Sequence, residues 1–208
     1  MVRKKSILDF QRMKKEDNKI TALTAYDYPM AQFEEQAGID IIEVGDSLGI
    51  CVYGYPGGTL RVTMDQCIAH AAAVRRGAPN TFVLGDMPFL SYQTPEDAVR
   101  NAGRFYKEAG VDGILLEGGR RFAKTIRAIV DAGMVVCGDI GLPETEQGLQ
   151  LGGYRAQGRT AESAYELIQE ARAVQEAGAS LLVLGPVPCE VGKLVTQDLE
   201  IPVIGVGA

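Results

Sequence analysis

The chain has 208 residues, enough for one domain with a substantial core, and 21 Lys and Arg against 27 Asp and Glu leave a formal net charge of -6. An acidic chain is a poor match for a phosphate backbone, which sets nucleic acid aside as a partner. No run of eighteen apolar residues occurs, and the start MVRKKSILDFQRMKK carries charges where the apolar part of a signal peptide would stand, so the reading is a cytoplasmic protein without a membrane span.

Charge is uneven along the chain: residues 1–19 hold seven basic and three acidic side chains, and the rest hold fourteen and twenty-four. The first segment reads as a small basic helix capped by Ser6, with Ile7, Leu8, Phe10 and Met13 on a partial apolar face, serving solubility or subunit contacts. From residue 20 to 208, short apolar runs alternate with longer helical patterns. The expected strands are 20–26, 41–45, 82–86, 113–117, 134–139, 181–185 and 201–207, with helices around 30–36, 65–76, 95–108, 121–131 and 160–176. Several helices end in Ala-Gly or Arg-Gly, the glycine cap that a helix C-terminus favours.

The strands are near-continuous apolar runs, the signature of a parallel sheet covered on both faces. Seven strand–helix steps predict a (β/α)8 barrel one step short of closure, since such a barrel takes about 250 residues and eight strands. The gap admits three explanations: a sequence shorter than the natural product, closure by another element such as a partner subunit, or an open sheet. The four cysteines, Cys51, Cys67, Cys137 and Cys189, are too widely spaced for a redox pair or a zinc site and read as reduced thiols.

In a parallel barrel the chemistry gathers where strands end. Asp46 follows one strand, Asp86 and Glu117 close the next two, and Asp139 adds a fourth carboxylate to the same rim. A carboxylate there is costly to desolvate without a cation, and several together suit Mg2+ or another hard ion shared with substrate oxygens. The alternative for each is a helix cap or a pairing with Arg104, Lys107 or Arg120. Ser47, in the GDSLG turn, offers a hydroxyl and an N–H to a substrate carboxylate, and Tyr26 and Asp27 end the first strand. The lone His70 reads as a structural side chain, and the glycines of YGYPGG and EGG match no nucleotide loop.

The segments TAYDYPMA, VGDSLG, HAAAVRRGAPN, LEGG, GGYRAQGR, LLVLGPVP and IPVIGVGA, spread from about residue 20 to the end, resemble the 3-methyl-2-oxobutanoate (ketopantoate) hydroxymethyltransferase family. The resemblance implies a barrel of the phosphoenolpyruvate mutase and isocitrate lyase superfamily, Mg2+, a decameric assembly, and hydroxymethyl transfer from 5,10-methylenetetrahydrofolate to a small 2-oxo acid through an enolate. It makes Asp46 and Asp86 ligands of metal and substrate, Glu117 part of the metal shell, and Ser47 the contact for the substrate carboxylate. The other half of the site departs from the family pattern. Leu115 stands where the family has a substrate-binding lysine, Asp139 where it has a histidine, and Gly185 where it has the catalytic glutamate, while Glu190 matches a different glutamate. Asp139 is then the candidate replacement base. The departures leave open another Mg-dependent lyase, aldolase or mutase acting on a 2-oxo acid, or a catalytically inactive homologue.

Overall fold

A computed structural model of the protein describes residues 3–142 and 156–208. Seven strands form one parallel sheet in sequence order: β1 (Ala22–Thr24), β2 (Ile41–Val44), β3 (Phe82–Asp86), β4 (Gly113–Glu117), β5 (Val136–Ile140), β6 (Leu181–Leu184) and β7 (Val203–Gly205). All six neighbouring pairs run parallel, from Ala22 opposite Ile41 round to Leu184 opposite Gly205. This is a TIM-type barrel sheet with β1 and β7 as its edges.

The strands alternate faces with the period of two that a pleat dictates. Ile41, Phe82, Leu84, Leu115, Cys137, Leu181 and Val183 meet inside the barrel, while Ile42, Val44, Val83, Ile114, Leu116, Val136 and Leu182 join the core beneath the outer helices. Both faces are therefore buried, which is why the sequence shows continuous apolar runs.

The helices are α1 (Ile7–Lys15), α2 (Tyr28–Ala37), the short turn α3 (Leu48–Cys51), α4 (Met64–Gly77), α5 (Pro95–Arg104, continued by a π turn over Phe105–Ala109), α6 (Ala123–Asp131), α7 (Ala161–Glu176) and α8 (Cys189–Asp198). Their starts follow capping chemistry. Asp27, Thr63, Thr94 and Thr160 accept backbone N–H groups of the first turns of α2, α4, α5 and α7. At the other end, Gly38, Gly110, Gly133 and Gly178 take positive φ, whereas the Gly77 of the Arg-Gly pair does not. Helix α8 is an addition to the expected elements.

The basic first segment closes the floor of the barrel. Phe10 is fully buried and meets Phe82 edge-on at 5.3 Å between ring centroids. Three of its lysines are engaged with the body of the chain: Lys4 pairs with Asp112 at 2.5 Å, Lys5 with Asp40 at 2.6 Å, and Lys14 Nζ donates to the carbonyls of Thr196 and Ile201. Ser6 stands at the start of α1 as expected and gives both its N–H and its hydroxyl to Asp9 Oδ2. All four cysteines are free. No helix among the described residues is long and apolar enough to cross a membrane.

Candidate active site

The C-terminal ends of β2 to β5 carry the carboxylates expected from the sequence. Asp46 follows β2, Asp86 and Glu117 close β3 and β4, and Asp139 lies in β5 directly opposite Glu117. Asp46 and Asp86 are joined most directly, because the Asp46 N–H donates to Asp86 Oδ2 at 2.9 Å. The other oxygen, Asp86 Oδ1, is buried without a hydrogen-bond partner. A buried, unpartnered carboxylate oxygen is costly unless a cation or a proton meets it.

Electrostatics tie the rim together. Burial, then the charge of Asp46, pushes Asp86 well above the usual carboxylate range. Burial, then Glu117, lifts Asp46 to about 7, against a hydrogen bond with Thr59 that pulls it down. Asp139 is pushed up by burial, then by Glu43, Glu117 and Asp46. Two of the cations offered as alternative partners serve the helices instead: Arg104 pairs with Glu108 and Asp65, and Arg120 with Glu166 and Glu170. Among the described residues, no group of three or more His, Cys, Asp or Glu side chains is placed to hold a metal ion. The donor chemistry of the rim, hard oxygens with one buried atom unpartnered, nonetheless fits a divalent cation.

One member of the cluster was missed in the sequence. Glu43, in the middle of the apolar run IIEV, points inward and is pushed up to about 7 by burial and by Glu117. It lies deep in the protein yet keeps some accessible surface, because it faces a cavity of about 260 Å³ beneath the rim, lined also by Thr24, Leu84, Cys137 and Val183. The period-two alternation that puts Glu43 on the same side as Ile41 was the available signal. A side chain at Gly45 would stand 2.7 Å from Ser47 Oγ and 3.0 Å from Glu43 Oε1, so these two groups flank one bare patch of backbone.

Ser47 heads the short turn α3, and its Oγ lies 2.9 Å from the Tyr26 hydroxyl. Asp27 is occupied as the cap of α2. His70 has both ring nitrogens engaged, Nδ1 with the Tyr26 carbonyl at 2.5 Å and Nε2 with the Tyr53 hydroxyl at 3.1 Å, which agrees with a structural reading. A second cavity, of about 580 Å³, lies at the ends of β4 and β5, between Gly118, Gly119, Ile140, Gly141 and α7. Of GGYRAQGR, residues 152–155 lie outside the described residues.

The two apolar departures have structural roles. Leu115 is 1% exposed and packs in the inner layer with Leu84, Cys137 and Phe10. Gly185 lets the ends of β5 and β6 close on each other: its N–H donates to the Ile140 carbonyl at 2.7 Å, and a Cβ there would meet Leu142 N and Cγ at 3.1 Å. Facing it, Gly141 has φ +100°, and its own Cβ would stand 3.0 Å from Gly185 N.

Solved structures of similar fold are found among enzymes of other names. A 2,3-dimethylmalate lyase of the PEP mutase/isocitrate lyase superfamily matches with TM-score 0.67 at 22% identity, over 98% of this chain and 70% of that one. A phosphonopyruvate hydrolase solved with oxalate and Mg++ matches with TM-score 0.65 at 15% identity, over 97% and 81%. At these identities the likeness shows the fold alone. Sequence relatives go further. A 3-methyl-2-oxobutanoate hydroxymethyltransferase of Alkaliphilus metalliredigens is 58% identical over 209 residues, all of this chain and 73% of that protein. Proteins of the same name from Heliobacterium modesticaldum and Geobacter metallireducens are 47% and 48% identical over all of this chain and 75% and 78% of theirs. The sequence pattern of the ketopantoate hydroxymethyltransferases matches residues 4–208, so barrel and rim alike fall within one match, and the chain belongs to that family.

Proposed function

We propose that the protein transfers a hydroxymethyl group to 3-methyl-2-oxobutanoate, with 5,10-methylenetetrahydrofolate as the one-carbon donor and water as the source of the hydroxyl, giving 2-dehydropantoate and tetrahydrofolate for pantothenate synthesis. The observation that carries this reading is 58% identity across the whole chain to a transferase of that name, together with Asp46, Ser47, Asp86 and Glu117 at the strand ends of one rim.

The orphaned Asp86 Oδ1 and the mutually repelling carboxylates favour Mg2+ at this rim, and Asp46, Asp86 and Glu117 are the residues that would hold it. Such an ion would supply positive charge that polarises the keto group of the substrate and makes its C3 proton more acidic. Ser47 receives the substrate carboxylate through its hydroxyl. Asp139 accepts the C3 proton: the C–H bond breaks, its electron pair passes into an enolate, the enolate carbon bonds to the methylene carbon of the donor as one of its C–N bonds breaks and that nitrogen takes a proton, and water displaces the second nitrogen, leaving the hydroxymethyl group on C3 and releasing tetrahydrofolate. General-base catalysis of this kind contributes roughly 10² to 10⁴ in rate. Burial and the neighbouring carboxylates raise the proton affinity of Asp139, and the positive charge of a bound ion would be what keeps it ionised and able to accept a proton. The same reading carries a cytoplasmic homo-oligomer, with a decamer as the assembly to test by light scattering.

A second reading has a specific observation in its favour. Gly185 and Gly141 are packed so closely that no side chain stands at the position matching the family's base, and Leu115 is an apolar floor residue. Both fit a metal-dependent lyase, aldolase or mutase reaction on another small 2-oxo acid. NMR of protein incubated with 3-methyl-2-oxobutanoate, Mg2+ and 5,10-methylenetetrahydrofolate separates the two. 2-Dehydropantoate is the expected product. Its absence, with folate-independent turnover of a different oxo acid, supports the second reading, and binding without any turnover indicates an inactive homologue.

A further inference from the structure

His70, Tyr26 and Ser47 form a connected chain of hydrogen bonds beside the rim. The Tyr26 carbonyl can only accept, so His70 Nδ1 carries a proton and donates to it. In the neutral ring, Nε2 is then an acceptor for the Tyr53 hydroxyl. His70 thus fixes the backbone just beyond β1, at the residue whose phenol reaches across to Ser47 Oγ at 2.9 Å. Tyr53 belongs to the segment after α3 and stacks on Tyr55 at 5.3 Å between ring centroids, so the same imidazole ties together the two loops that bracket Ser47.

From this geometry we propose that Tyr26, held in place by His70, is a positioning residue that donates its hydroxyl proton to Ser47 Oγ and so leaves the Ser47 proton pointing away, free to meet the carboxylate of the substrate. The inference deepens the hydroxymethyl-transfer reading and rests on the role given there to Ser47. A serine hydroxyl has one proton. If Ser47 spent it on Tyr26, it would present only lone pairs to an anion. With the Tyr26 proton filling a lone pair of Ser47, the serine becomes a donor aimed at the ligand. Burial and a hydrogen bond with the Cys51 side chain push the Tyr26 phenol up to about 12, against the hydrogen bond with Ser47 that pulls it down, so it retains its proton through the neutral range.

The test is calorimetric binding of 3-methyl-2-oxobutanoate in the presence of Mg2+, with 2-dehydropantoate formation followed in parallel. Tyr26→Phe keeps the ring and removes only the hydroxyl. It should weaken binding about five- to tenfold, the worth of one well-placed hydrogen bond, while kcat at saturating substrate changes less than about twofold. Ser47→Ala should lose at least as much, and Tyr26→Phe added to it should cost nothing further. His70→Ala should weaken binding to a similar degree, and His70→Asn, which can still place an N–H near the Tyr26 carbonyl, should recover most of it. Tyr26→Phe binding as tightly as the parent protein, or losses from Tyr26→Phe and Ser47→Ala that simply add, would overturn the inference and leave the transferase reading standing. Parent protein that fails to bind the oxo acid overturns both.

Discussion

Removing the charge of Glu43 is the sharpest probe of how the rim is built. Burial and then the charge of Glu117 lift its carboxyl from 4.5 to about 7. A raised acid pKa means that the folded state holds the proton more tightly than the unfolded chain. The carboxyl therefore has no net effect below the unfolded value, costs stability progressively as pH rises through the interval, and reaches its full penalty above the folded value. A shift of that size corresponds to about 3 kcal/mol of lost stability above pH 7. Glu43→Gln keeps the size and removes the charge. It should raise the free energy of unfolding by up to about 3 kcal/mol at pH 8.5 and by less than about 1 kcal/mol at pH 5. Asp86, Asp46 and Asp139 all feel Glu43, so their carboxyls should shift down in the same variant. Urea unfolding in EDTA at both pH values measures the difference. Equal effects at the two pH values, or destabilisation at pH 8.5, would refute the reasoning.

Three further outcomes are expected. Phe10→Ala empties the barrel floor of a fully buried ring and should cost about 3 to 5 kcal/mol in urea unfolding, whereas a loss under about 1 kcal/mol would mean that α1 is not part of the core. Gly185→Ala forces a methyl against Leu142 at 3.1 Å and should destabilise by about 1 to 3 kcal/mol, and unchanged stability would show that the ends of β5 and β6 have slack. Mg2+ should raise the thermal midpoint in a concentration-dependent manner through binding to the folded state, and Asp86→Asn should abolish most of that rise, whereas equal rises in both proteins would place the ion elsewhere.

Much of this architecture is legible in the sequence because its physics is local. FVLGD and GILLE are apolar on both faces because inner and outer layers bury them alike, and a carboxylate closing such a run has nowhere to go but the mouth of the barrel. Asp46, Asp86, Glu117 and Asp139 follow from that logic. Glu43 escaped it because IIEVG reads as a continuous run: alternation puts Glu43 on the side of Ile41, but which side faces the barrel interior is set by the pairing with β3, where Glu43 lies opposite Leu84. Helix α8 escaped because Pro188 at its start offers no side-chain cap and Gly192, Val191 and Val195 are weak helix formers. The meeting of Gly141 with Gly185 depends on how two strand ends approach across 44 positions of chain, which no local pattern encodes. The basic first segment was legible as a helix, but its charges turn inward to Asp112 and Asp40, partners that lie far away in sequence.

The central claim is that Asp139 takes the C3 proton of the oxo acid at a rim that lacks the family's glutamate. Proton exchange of 3-methyl-2-oxobutanoate in D2O, followed by NMR with and without Mg2+, tests it directly. The account predicts Mg2+-dependent loss of the C3 proton signal with the parent protein and at least a hundredfold slower exchange with Asp139→Asn. Exchange at full rate in Asp139→Asn, or none in a parent protein shown to be folded and metal-bound, would contradict it.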